Sequence, residues 1–193
     1  MPDTNDIQTW VVESSEEVMD CRIFRVHRDH SHTADGKKHG TFFSLKAPPW
    51  VNLVPITADD FLVCVRQYRH GTGRITLETP AGLGELDESP EFTAARELRE
   101  ETGYSAPELK ILCQFYANPA FLDNLVTVIL AENVTLTDPT AWDEHEELAV
   151  ELVPVSEIPT RLARGDFENG VTVAALSRYL LYRAGIVPMG GVE

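Results

Sequence analysis

Glu97, Glu100 and Glu101 stand at i, i+3 and i+4 in the stretch Gly82–Tyr104, GLGELDESPEFTAARELREETGY. On a helix turning roughly 100° per residue these carboxylates crowd one side, and like charges so placed cost a few tenths of a kcal/mol per pair. A bound cation would relieve them. Mg2+ takes oxygen ligands and typically bridges one or two carboxylates to substrate phosphates, so the pattern suits phosphate chemistry. A solvated acidic helix surface is the alternative that spacing alone leaves open.

The helix that would carry these groups has legible ends. Ser89 can cap its free amides, Pro90 fits the first helical position, and Gly103 suits a left-handed stop. Ala94, Ala95 and Leu98 then form an apolar face beside the acidic one.

The rest of the chain supplies a scaffold. Residues 9–46 alternate β-prone runs with turn signals, TWVVES, CRIFRVHRD, the loop HSHTADGKKHG and TFFSLK, which predicts a small antiparallel β unit. His27, His30, His32 and His39 fall in or beside that loop; their spacing is irregular and acidic neighbours are sparse, so they read as loop residues and not as a metal site. Pro48-Pro49 punctuates the chain, dividing an N-terminal unit at 1–47 from a larger domain at 48–193. From Trp50 the runs WVNLVPI, FLVCVRQYR and RITLETP read as strands leading into the acidic helix. LKILCQFYA, LVTVILAENV and LAVELVPV read as strands after it, and SEIPTRLARGD and VTVAALSRYLLYRAGI as closing helices. Strands on both sides of one helix, with helices at the end, predict a mixed α/β layer structure.

Composition narrows the partners. With 193 residues and 43% hydrophobic residues the chain can hold one substantial core. No apolar run approaches membrane-spanning length, and MPDTNDIQTW lacks a basic segment followed by an apolar one, so the expectation is a cytoplasmic protein. Cys21, Cys64 and Cys113 lie far apart among apolar residues, which predicts buried thiols in a reducing compartment. A net charge of −15 argues against nucleic acid, whose backbone is bound by Lys and Arg.

Gly82, Glu88, Arg96, Glu97, Leu98, Glu100, Glu101 and Gly103 together resemble the motif of the Nudix hydrolases at every fixed position, with Tyr104 departing where the family usually has an aliphatic residue. VRQYRHGTGRITLETPAG, YANPAF and WDEHEELAVELVPV resemble the branch that includes ADP-ribose and nucleoside diphosphate sugar pyrophosphatases, so the likeness covers roughly residues 50–185. The resemblance implies an α/β (α+β) fold of the Nudix type, an α/β/α sandwich with a mixed sheet, beside the small N-terminal antiparallel β unit. It implies Mg2+, or Mn2+, held by Glu97, Glu100, Glu101 and the carbonyl of Ala81, with Glu146 as an additional ligand. Glu144 is then the expected general base and Glu100 a further catalytic group, although a one-residue slip would exchange these roles with Asp143 or Glu147. Glu88 and Arg96 look structural. Arg69 or Arg66 would contact substrate phosphate, Phe43 and Trp50 the base, and Pro119 an ADP-ribose-type substrate. The branch also implies a homodimer in which N-terminal strands serve dimerisation and base binding.

The implied reaction is Mg-dependent hydrolysis of the diphosphate bond of ADP-ribose or a related nucleoside diphosphate sugar, giving a nucleoside monophosphate and a sugar phosphate. GDP-mannose or dinucleoside polyphosphates are alternative substrates. A non-catalytic nucleotide-binding regulator is the alternative of another class, and such proteins commonly lose ligand glutamates that are all present here.

Overall fold

Alternation along two neighbouring strands accounts for the layering. In β4 (Trp50–Thr57), Val51 and Leu53 enter one buried cluster while Val54 and Ile56 enter another, and in β10 (Leu125–Leu136), Ile129 and Ala131 part in the same way from Val128 and Leu130. Successive strand side chains point to opposite faces, so a strand apolar at nearly every position must be covered on both. The first cluster takes Ala94 and Leu98 from α1 (Pro90–Thr102). The second takes Ile158 at the start of α2 (Ile158–Arg164), together with Val171, Ala175, Leu176 and Tyr179 from α3 (Gly170–Arg183).

The computed structural model describes residues 7–85, 87–142 and 147–190. They fall into two compact units, Met1–Pro48 with Asn118–Asn124, and Pro49–Ala117 with Leu125–Glu193. The larger unit is an eight-stranded mixed sheet. Its path runs β11 (Leu148–Pro154), β5 (Phe61–Arg69), β4, β10 and β8 (Tyr104–Ser105); β6 (Arg74–Glu78) adds to β5, β7 (Ala81–Leu83) to β4, and β9 (Leu109–Tyr116) to β10. β4 and β10 pair in parallel and the other described pairs are antiparallel. Helices on both faces of a mixed sheet make the α/β/α sandwich that the sequence implies.

The smaller unit is a three-stranded antiparallel sheet, β1 (Trp10–Asp20), β2 (Arg25–Thr33) and β3 (His39–Lys46). Asn118–Asn124 belongs with it, because Leu45 exchanges backbone bonds with Phe121 and Asp123 and Lys46 pairs with Asp123. Local sequence places that segment in the larger domain; only the long-range pairing reveals where it goes.

Three readings change. His27, His30 and His32 are β2 residues and His39 opens β3, so the loop is confined to residues 34–38. Ala95 is exposed and Thr93 is buried in its place, which turns the docking face of α1 by part of a turn. Cys64 is buried, whereas Cys21 and Cys113 are half-buried; all three are free thiols.

Candidate active site

Helix α1 forms where its caps predict. Ser89 Oγ accepts from the amide of Phe92, Pro90 opens the helix, and Gly103 closes it at φ 76° while donating to Arg99 O. That φ favours glycine, and a side chain at 103 would also run into the carbonyl of Asp138. Burial of Thr93, Ala94 and Leu98 then fixes the rotation of the helix and leaves Glu97, Glu100 and Glu101 in order of increasing depth: Glu100 outermost, Glu97 mostly covered, Glu101 only 4% exposed.

Each carboxylate is held. Glu101 Oε2 accepts from the amide of Ala81 at 3.1 Å, tying the helix to β7. Arg96 Nη1 donates to Glu97 Oε1 at 2.8 Å and to Glu100 Oε2 at 3.1 Å; its Nη2 reaches Leu83 O at 3.2 Å and Glu88 Oε2 at 3.5 Å. Burial works against the charge of Arg96, but Glu97 and Glu100 more than offset it and hold the guanidinium protonated more firmly than usual. Glu88 also accepts from Thr93 Oγ1 and the amide of Glu85, and these bonds lower its carboxyl pKa. Arg96 and Glu88 thus brace loop against helix, as their motif positions imply. Arg96 further answers the crowding of like charge, since it stands between two of the three carboxylates.

Gly82 explains itself by contact. A methyl group there would overlap the carboxyl of Glu97, so only a hydrogen lets β7 and the Glu97 side chain share that space. Three carboxylates and a nearby backbone strand make an oxygen-only donor set, the type that hard divalent cations take. Among the described residues no three such groups converge on one point, because Arg96 lies between Glu97 and Glu100.

The arginines of β5 diverge. Residues 66 and 69 differ by an odd number, so they face opposite sides of the strand. Arg66 meets Glu151 of β11 at 2.6 Å, and Glu151 also meets Arg161 of α2 at 3.1 Å. Arg69 binds Glu78 with two parallel bonds, Nε to Oε1 at 2.9 Å and Nη2 to Oε2 at 2.7 Å. Glu78 is 1% exposed and also accepts from Thr76 Oγ1 and Asn169 Nδ2. Burial raises its pKa, but the bonds from Arg69 and Thr76 outweigh burial and hold the carboxyl below its ordinary value. Asn169 caps α3 through its side-chain oxygen, which accepts from the amides of Val171 and Thr172, so this network joins β5, β6 and α3. Sequence reasoning missed it, starting the helix at Val171 and leaving Asn169 unread; the Asn-Gly pair before an apolar run was the available signal.

Trp50 on β4 is half-buried and packs against the cluster beneath α2 and α3. Phe43 on β3 and Pro119 belong to the smaller unit. Phe42 and Phe43 are both exposed within the chain, and Phe42 packs edge-on with Trp10 at 5.1 Å. Glu144 and Glu146 lie outside the described residues, as does Asp143. The segment leading to them hangs on the end of α1: Ala141 N donates to Glu100 O at 2.9 Å and Trp142 Nε1 to Glu101 O at 3.1 Å.

Comparison with known proteins adds to this geometry. The profile of the NUDIX domain matches residues 47–176, well over half of the chain. An ADP-ribose pyrophosphatase of Bacillus subtilis is 40% identical over 107 residues, covering 55% of this chain and 58% of that protein. One of Mycobacterium tuberculosis is 35% identical over 128 residues, 65% of this chain and 62% of its own. The matches therefore span less than two thirds of either relative. A solved structure described as an ADP compounds hydrolase superposes with a TM-score of 0.79 at 27% identity, covering 94% of this chain and 98% of that one.

Proposed function

The chain belongs to the Nudix family, and from that premise we propose that it hydrolyses the diphosphate bond of ADP-ribose or a closely related nucleoside diphosphate sugar. The observation that supports this most is the intact acidic face of α1, with Glu101 anchored to Ala81 and Gly82 making room for Glu97. Nudix hydrolases are in general dependent on divalent metal. The donor types here fit such an ion, Mg2+ or Mn2+: Glu97, Glu100, Glu101 and the carbonyl of Ala81, with Glu146 as an additional ligand. When bound, the metal neutralises the diphosphate, orients it and lowers the pKa of water.

What the chain does is position. Arg96 ties Glu97 and Glu100 to Glu88, so the carboxylates are aimed before any ligand arrives, and its bonds to them are those that a cation would displace. Glu144 takes the proton from the attacking water in this reading. Arg69 stands with its fork fixed by Glu78, which makes it the phosphate-facing arginine with the least freedom to lose; Arg66 is its counterpart on the opposite face. Trp50 is the base-binding candidate of the larger unit, and Phe43 and Pro119 are the substrate-binding candidates that the smaller unit carries. A homodimer fits the apolar residues that this unit leaves uncovered, Trp10, Val11, Val12, Val18, Met19 and Phe43 among them. Free thiols suit the cytoplasm, no helix among the described residues is long and apolar enough to cross a membrane, and the acidic charge disfavours nucleic acid.

The test is a turnover panel of ADP-ribose, GDP-mannose and dinucleoside polyphosphates with Mg2+, with Mn2+ and with chelator, products identified by mass. Nucleoside monophosphate and sugar phosphate formed only with metal support the proposal. Tight ADP-ribose binding with no bond cleavage would make the protein a regulator instead.

A further inference from the structure

The four histidines of the small sheet are the feature that the catalytic reading does not absorb. Two of them, His32 on β2 and His39 on β3, are direct cross-strand partners at the turn end of the hairpin. The next pair toward the turn is bonded through the backbone, Thr33 N to Lys38 O at 2.9 Å. In an antiparallel ladder bonded and non-bonded pairs alternate, so His32 and His39 occupy the position where facing side chains stand closest.

The ring geometry goes further. Their centroids are 5.7 Å apart with the planes 43° from parallel. With metal–nitrogen bonds of about 2.0 Å, two imidazoles on one ion hold their ring centres roughly 5 to 6 Å apart. His32 Nδ1 lies 2.8 Å from the carbonyl oxygen of Thr33. A carbonyl only accepts, so Nδ1 carries the proton and Nε2 keeps its lone pair. A ring N–H given to a backbone carbonyl is the support that metal-bound histidines ordinarily have.

We propose that His32 and His39 form a two-imidazole site on the β2–β3 hairpin for a late first-row divalent cation, Zn2+ in the first instance, with water completing its coordination. Imidazole suits zinc, nickel and copper, whereas the oxygen donors of α1 suit magnesium and manganese, so one chain sorts two kinds of cation between its two units. The hairpin has use for such a clip. Its buried positions are Ser31 and Thr33, both polar, and a small sheet without an apolar core of its own gains from a metal that joins its strands. His27 and His30 are otherwise engaged, with Ser15 at 3.1 Å and Thr41 at 3.0 Å.

The experiment titrates Zn2+ into the full chain in the presence of excess Mg2+, read by calorimetry and by the histidine ring-proton resonances. One Zn2+ per chain is expected, with the rings of His32 and His39 shifting and those of His27 and His30 unmoved. H32N and H39N should each weaken binding at least about tenfold, the scale on which even supporting groups of metal sites act, and H27N should leave it unchanged. The wild-type resonances keep the test intact should either variant fold poorly. Zn2+ binding that survives both substitutions, that Mg2+ competes away, or that shifts only the other two rings would overturn the proposal.

Discussion

The two units of this protein handle burial in opposite ways. The larger one hides apolar side chains on both faces of its sheet and keeps charge in braced networks, Arg96 with three glutamates and Arg69 with Glu78. The smaller one turns Trp10, Val12, Val18, Met19 and Phe43 outward and buries Ser31 and Thr33. A three-stranded sheet is stable when a face is covered. The larger unit thus has an apolar core on each face of its sheet, whereas the smaller sheet leaves its apolar side chains exposed within the chain.

That contrast can be broken by substitution. The largest effect is expected from Glu78→Gln, which leaves Arg69 facing a neutral amide across a buried pair; loss of one partner of such a pair costs about 3–5 kcal/mol in denaturant unfolding. The pH dependence should change with it. The folded-state pKa of Glu78 is depressed, so its contribution is present above the ordinary glutamate range and is lost as pH falls through the folded value. The variant should lack that acid-side loss of stability. Leu98→Ala, on the face of α1 that docks the helix, should cost about 2–5 kcal/mol, measured the same way. A cost under about 1 kcal/mol for both would mean that the larger unit is not held by its core and its buried pair.

Glu101→Gln separates chemistry from stability. The amide still offers an oxygen to the Ala81 N–H, so the fold should persist, while loss of one ligand charge should reduce metal-dependent turnover about 100-fold. Near-full activity would remove Glu101 from the metal set. Ser89→Ala should cost about 1 kcal/mol through the lost cap. The smallest effect sharpens the comparison from the other side: Val12→Ser, on a fully exposed strand, should change the chain's own unfolding free energy by less than about 0.5 kcal/mol. If the variant shifts the sedimentation profile instead, the outward apolar residues serve assembly.

How much could be read in advance follows the same divide. Ser89, Pro90 and Gly103 mark α1 because capping is local, and β4 and the first half of β10 were legible because they are apolar at nearly every position. The crowding of the motif glutamates was legible in their spacing, which by itself left a solvated acidic surface open. Long-range partners were not. Nothing near Arg69 in sequence says that its fork is taken by Glu78, nor that Asn169 completes the arrangement from the start of α3. Asn118–Asn124 looks like any connecting loop until Leu45 is seen to bond it. The histidines look like loop residues because polar runs resemble turns, and only the β2–β3 register shows that two of them face each other.

The parallel pairing of β4 with β10 has a bearing on how the protein comes into being. These central strands are separated by the whole of β5 to β9 and by α1, so the middle of the sheet closes late, after the ribosome has released Leu125–Leu136. Pairing between such distant segments is slow, since the intervening chain must be gathered before contacts reward it. Until then the cluster that docks α1 lacks Ile129, Ala131 and Val134, the residues that β10 brings to it. The seat of α1 is thus completed only with the final zipping of the sheet, and a nascent chain stalled before residue 125 should carry the complete motif on a helix whose core is still open on one side.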